Sequence, residues 1–192
     1  MKIYLIRHGQ SQWQTGDSRD LDAPLTNLGI RQSNLLAHYL SENSLKFTSL
    51  KSSPLKRACE TASILAAKNE LDVQFIEALA EAKFSTSNEL PTRCHPRDQS
   101  PVFFPSPQYR SFKSQAAKAL DALILSAEHS NGHVCAVSHG GLIRTLLRVI
   151  ADTDNLCFCI SNASVTKLSW RRGRWHIDYL NNAEHLPYSM RS

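Results

Sequence analysis

Two short stretches put histidine where it can do chemistry. "RHGQS" (7–11) follows the apolar run "KIYLI", and "SHGG" (138–141) ends the apolar run that starts at "HVCAV". Both read as a buried strand that stops at a histidine and a glycine. Open α/β sheets bind ligands beyond the carboxyl ends of their strands. If the two strands are neighbours, they lie about 4.8 Å apart and His8 and His139 face one pocket. Gly9, Gly140 and Gly141 leave room for close backbone approach. The helix expected after Gly140 aims free N–H groups at the same place.

Two arginines can join them. Arg7 is adjacent to His8, and Arg57 lies in the first turn of a helix that also follows a short strand. Guanidinium forks pair with phosphate oxygens, so these groups form a cage for a phosphoryl group. A neutral imidazole among cations keeps its lone pair and can attack phosphorus. The residue types leave either His8 or His139 in that role. The leaving alkoxide needs a proton and the later water needs a base, and one carboxylic acid can do both in turn. Candidates are Glu60, Glu77, Glu81 and Glu89. Glu81 lies just past a strand that begins at 72, where an acid must stand beside the leaving group.

Elements that could position these groups can be read from the pattern. Residues 2–6 and 133–138 are apolar enough for buried strands, and "KFTSLKSS" (46–53) and "DVQFIEAL" (72–79) begin as strands. A helical stripe runs over 25–43 with Thr26 as N-cap. Another helix covers 53–68, with Ser53 as cap and Pro54 in the first turn. Further helices cover 115–132 and 141–150. "SVTKLSW" and "RWHIDYL" flank Gly173 as a hairpin. This order predicts an α/β fold: a three-layer sandwich with a mostly parallel central sheet and helices on both faces. Residues 83–112 carry five prolines and five aromatic residues and read as a lid insertion in a single domain over 1–192.

Composition narrows the classes. The 192 residues are 42% hydrophobic, enough for one full core. No apolar stretch nears the roughly 18 residues of a membrane span, and the N-terminus reads as a strand rather than a signal peptide. The five scattered cysteines fit reduced thiols in a cytoplasmic protein. Net charge is +5, but the basic residues are dispersed, which argues against nucleic acid or a membrane surface as partner and leaves a small anionic substrate. No H-E-x-x-H or paired C-x-x-C occurs, so neither a metal nor another cofactor is expected. The oligomeric state is not encoded in any pattern here.

Taken together, "YLIRHGQS" (4–11), "APLTNLGIRQSNLLAHYL" (23–40), "SSPLKRACETASIL" (52–65), "EALAEAKF" (77–84), "VSHGGLIRTLL" (137–147) and the tail "NASVTKLSW…LNNAEHL" (162–186) resemble the histidine phosphatase superfamily. That family includes cofactor-dependent phosphoglycerate mutases and small broad-specificity phosphatases. The resemblance implies that His8 is the phosphorylated nucleophile and that Arg7, Arg57 and His139 complete the phosphate pocket. It implies Glu81 as proton donor, with Glu77 as the fallback, and puts Gly9 and Gly140 close to bound phosphate. Gln14 stands where the family commonly has a phosphate-reaching asparagine. His185 matches a tail motif and reads as structural. The glycine and "WEG" segment that often follows the acid is replaced here by "AEAKFSTSNELP" (80–91). A short chain with few basic groups in its insert points to a metal-independent phosphomonoesterase acting on a small molecule. Mutase-type phosphoryl transfer and a non-catalytic phosphate-binding module are the alternatives.

Overall fold

A computed structural model describes residues 1–42, 47–99 and 102–192. Among the described residues, six strands form one sheet in the order β3-β2-β4-β1-β5-β6. They are β1 (Lys2–Arg7), β2 (Leu50–Ser52), β3 (Val73–Phe75), β4 (His133–Ser138), β5 (Val165–Arg171) and β6 (Arg174–Asn182). The first four in spatial order run parallel, and β5 and β6 add an antiparallel edge. The helices are α1 (Gln12–Thr15), α2 (Asn27–Glu42), α3 (Lys56–Asn69), α4 (Pro107–Glu128) and α5 (Gly140–Ala151).

Strand alternation sorts the core into two layers. Ile3, Leu5, Val134 and Ala136 pack with Leu120, Leu123, Leu142 and Leu146 of α4 and α5. Tyr4, Ile6, Cys135 and Val137 face the other way, against Leu36, Leu40, Ala58 and Leu65 of α2 and α3. A strand covered on both faces must be apolar throughout, and this is why β1 and β4 read as continuous hydrophobic runs. The three-layer sandwich follows.

Thr26 caps α2: its Oγ1 accepts from the Gly29 N–H at 3.0 Å. The hairpin turns at Arg172 and Gly173, both at positive φ (53° and 74°), as the tight primed turn requires. Position 43 of the expected α2 stripe and position 46 of the expected strand lie outside the described residues.

Other elements differ from expectation. Ser53 is not a helix cap. Pro54 forces it into extended backbone, and its N–H donates to Val137 O at 2.9 Å, so it prolongs the pairing of β2 with β4. The helix starts later, at Lys56, with Leu55 at the N-cap and no side-chain cap bond. The strand from residue 72 lasts only to Phe75 and gives way to a 3₁₀ turn over Glu77–Leu79. Helix α4 begins at Pro107, eight residues before 115, because the Ser106 hydroxyl accepts from the Tyr109 N–H at 3.1 Å and Pro107 needs no N–H partner there. Residues 107–112 of the expected insert are therefore helix, and Tyr109 and Phe112 belong to the buried interior.

Candidate active site

The parallel pairing of β1 with β4 aligns Arg7 with Ser138, so His8 and His139 leave the sheet side by side. The His8 N–H donates to Ser138 O at 2.9 Å, which holds both strand ends at one level. The two rings lie 5.0 Å apart at 60°. Both residues are buried, His8 at 4% and His139 at 0% exposure.

Helix α3 brings Arg57 to the same place. Its Nε–H donates to His8 Nε2 at 3.1 Å, and its Nη1 donates to Leu21 O at 2.6 Å. An Nε2 that accepts must carry the lone pair, so the His8 proton is on Nδ1, which donates to Gly9 O at 2.6 Å. Burial first, then the Arg57 and Arg7 charges, hold His8 well below the usual imidazole range. Burial and the same cations, with His8 itself, act likewise on His139. His8 is thus a neutral imidazole with its lone pair turned into a cationic corner.

Arg7 donates from Nη1 to Ile160 O at 2.6 Å, and its buried Nε has no partner among the described residues. Burial and the nearby Arg144 charge lower it to about 10. Burial is also the main cause that lowers Arg57. No carboxylate lies within 4.0 Å of either guanidinium among the described residues. Arg57 is buried and Arg7 half-buried, and cations withdrawn from water without a carboxylate partner are costly unless an anion joins them.

Glu81 sits at the head of α5. Its Oε2 accepts from the Gly141 N–H at 2.9 Å and its Oε1 from the Ala82 N–H at 3.0 Å. A Cβ on Gly141 would collide with this carboxylate, which explains the second glycine of "SHGG". The segment before Glu81 is fastened from two sides. Gln115 Nε2 donates to Ala78 O and Ala80 O at 3.2 and 2.9 Å, and Ser138 Oγ donates to Leu79 O at 2.8 Å. The Glu81 charge acts on both Arg7 and Arg57. Glu77 is exposed on its 3₁₀ turn, and Glu60 accepts from the Leu25 N–H at 2.7 Å.

Two glycines and one amide have partners of their own. The Gly9 N–H donates to Thr61 Oγ1 at 3.1 Å, and a Cβ there would strike Gly29 O of α2. Gly140 lies against Arg7: a Cβ on it would come 3.4 Å from Arg7 Nε. Gln14 is engaged with Asn162 through both ends of its amide, at 3.0 and 3.1 Å, while its Oε1 also accepts from the Ser11 N–H.

Several residues here were not singled out by the sequence for a part in the site. Ser53 Oγ meets His139 Nε2 at 2.7 Å, which leaves His139 Nδ1 without a partner among the described residues. Asn162 Nδ2 donates to His8 O at 3.0 Å. Arg144 of α5 donates from Nε to Phe158 O at 2.9 Å. Only the Ser-Pro pair at 53–54 and the helical position of Arg144 hinted at any of them. Among the described residues, no group of three or more His, Cys, Asp or Glu side chains could hold a metal ion.

The model of the histidine phosphatase superfamily (branch 1) matches residues 3–183. The chain belongs to the histidine phosphatase superfamily. It is 27% identical to a metal-independent phosphoserine phosphatase of Arabidopsis thaliana, over 96% of this chain and 83% of that one. It is 25% identical to a probable phosphoglycerate mutase of Proteus mirabilis, over 97% of this chain and 95% of that one. A mutant phosphoserine phosphatase of Entamoeba histolytica, solved in complex with phosphoserine, superposes with a TM-score of 0.75. It shares 27% identity, with 97% of this chain and 99% of that chain covered. As a histidine phosphatase, the chain has phosphatases and mutases among its relatives, and phosphatase activity is supported.

Proposed function

We propose that this histidine phosphatase is a metal-independent phosphomonoesterase that works through a phosphohistidine on His8. The observation that carries the reading is the neutral His8 imidazole, whose Nε2 lone pair meets the Arg57 Nε–H at 3.1 Å. A substrate phosphate would take over that donor and lie between Arg57, Arg7 and His139. Nε2 then attacks phosphorus, the bond to the ester oxygen breaks, and Glu81 gives the leaving alkoxide its proton. Glu81, now a carboxylate, takes a proton from water. That water attacks the phosphohistidine, releases phosphate and returns the electron pair to Nε2.

His139 fits the role of a donor to phosphate oxygen. If the Ser53 hydroxyl donates to its Nε2, its proton is on the unpartnered Nδ1. Gly140 lends close approach beside Arg7. Gly9 and Gln14, each already engaged within the protein, would support the pocket wall and reach phosphate only by exchanging partners.

Hydrolysis is favoured over mutase transfer by the insert. A mutase has to shield its phosphoenzyme inside a highly basic enclosure. Lys83, Arg93, Arg97 and Arg110 are all exposed. The described parts of the insert, shortened by the early start of α4 to residues 83–99 and 102–106, would act as the lid and supply the substrate wall, while positions 100 and 101 of the expected lid lie outside the described residues. The five free cysteines, of which Cys94, Cys157 and Cys159 are exposed, fit a reducing compartment such as the cytoplasm.

The test is hydrolysis of p-nitrophenyl phosphate with excess chelator present. The wild-type chain is expected to be active and His8→Ala to lose nearly all turnover. Comparable activity in His8→Ala, or activity abolished by the chelator, overturns the reading.

A further inference from the structure

Three arginines converge on one stretch of backbone. Arg148 and Arg144, on successive turns of α5, donate from Nε to Leu156 O and Phe158 O, each at 2.9 Å. Arg7 donates from Nη1 to Ile160 O at 2.6 Å. Carbonyls at alternate positions that face one way mark an extended chain, and the side chains agree. Ile160 is buried and Phe158 packs on the core, while Cys157 and Cys159 are exposed. The segment that holds Arg7 in place therefore presents two thiols to solvent, a single residue apart.

The other cysteines are placed differently. Cys135 is fully buried in the core, and the Cys59 thiol is turned toward Ser53 O and Pro54 O. Burial pushes both thiols up, away from the thiolate that exchange requires. Cys94 is exposed but lies on the insert.

We propose that Cys157 and Cys159 form a dithiol modification site, oxidised by low-molecular-weight disulfides to a Cys157–Cys159 bond that pulls the segment 156–160 off its arginines. The consequence for activity rests on the phosphomonoesterase reading, in which Arg7 holds phosphate. The exchange balances without any further reactant. One thiolate of the pair attacks a sulfur of the small disulfide, whose S–S bond breaks to release a small thiol. The second thiolate attacks the resulting mixed disulfide and releases the other. Both thiol protons pass to the released thiols, so the small disulfide is reduced and the pair is oxidised. Extended backbone sets Cα atoms two residues apart at about 7 Å, whereas a disulfide settles near about 5.5–6 Å. The backbone must buckle, and the Phe158 carbonyl lies inside the ring that closes. Arg144 then loses its anchor, and the Ile160 carbonyl next along shifts with Arg7 attached. A bond strained in this way is easily reduced, so a thiol resets the site.

The test incubates the protein with excess glutathione disulfide, blocks free thiols and maps the peptides by mass. The peptide holding Cys157 and Cys159 should be two hydrogens lighter than its reduced form. Cys157→Ser and Cys159→Ser should each stop at a mixed disulfide with glutathione. In the oxidised wild type, kcat/KM on p-nitrophenyl phosphate should fall about tenfold or more, part of the roughly 10²–10³ that a lost charge partner costs. Affinity for inorganic phosphate should weaken in parallel, and dithiothreitol should restore both. The double serine variant should keep its activity and its phosphate affinity in the oxidant. A wild-type chain that forms no Cys157–Cys159 bond, or pairs either residue with Cys94, overturns the proposal. So does a bond that leaves phosphate affinity unchanged, or equal losses in the double variant. Absence of hydrolysis by the reduced wild type, together with a phosphate affinity that falls on oxidation, would instead overturn the phosphomonoesterase reading alone.

Discussion

Glu81 holds two backbone N–H bonds at the head of α5, and in the proposed mechanism those bonds fix where its carboxyl group would deliver a proton. An alkyl leaving group depends on that proton, whereas p-nitrophenolate departs readily without it. Glu81→Gln keeps the shape and one of the two acceptor contacts, since its amide NH₂ cannot accept the other N–H, and it cannot act as acid or base. We expect its kcat on an alkyl phosphate such as glycerol 3-phosphate to fall about 10²–10⁴-fold, with a much smaller loss on p-nitrophenyl phosphate. Equal losses on both substrates would move the proton donor elsewhere, and Glu77, exposed one 3₁₀ turn earlier, would be the next to test. At this scale the sequence was informative for residues that follow a strand. His8, His139 and Arg57 could be placed because each stands at the end of a strand or the start of a helix whose pattern is plain. Ser53, Asn162 and Gln115 could not, since each serves a site residue tens of positions away and no local spacing records such a partnership.

Elements carry the precision of the site. Gln115 of α4 holds the carbonyls of Ala78 and Ala80, and through them the approach to Glu81. Gln115→Leu would leave both carbonyls without that donor and cost about 1–2 kcal/mol, read as a lower urea midpoint. If Gln115 acts by positioning Glu81, the variant should also show a milder form of the Glu81→Gln pattern: slower on alkyl phosphates, little changed on p-nitrophenyl phosphate. A uniform loss on both would indicate a structural role only. Element boundaries were the least legible feature, and one dipeptide shows why. Ser106-Pro107 opens a helix, with the serine as cap and proline in the first turn. Ser53-Pro54 ends a strand, because the Ser53 N–H has Val137 O of β4 within reach. The local chemistry is the same, and a long-range pairing decides the outcome. Strands β1 and β4 and the hairpin at Gly173 were readable because burial on two faces, or a forced positive φ, leaves a mark on the sequence itself.

Across the whole molecule, several histidines are kept neutral by burial. His185 stacks on Tyr39 with ring centres 5.1 Å apart, and burial pushes it down to about 4. His8 and His139 are lowered as well. An unfolded histidine titrates near 6.5, so above about pH 6.5 both states are neutral and the fold has its full stability. As pH falls from there toward 4, the unfolded chain takes up protons that the folded chain refuses. Each such histidine then costs at most about 1.4 kcal/mol per pH unit. Stability should therefore decline between pH 7 and pH 5. His185→Phe keeps the ring stack and removes one titrating group, so its urea midpoint should fall less over that interval than the wild-type midpoint does. An identical decline in both proteins would mean that His185 is not held neutral by the fold.

The most direct measurement is on the phosphoenzyme itself. Wild-type protein mixed briefly with ³²P-labelled substrate and quenched in base should retain label on a peptide containing His8. That label should be stable in alkali and lost in acid, as expected of a phosphoramidate, and absent from His8→Ala. Label that survives acid, label on another residue, or rapid turnover with no trapped label at any quench time would contradict the account.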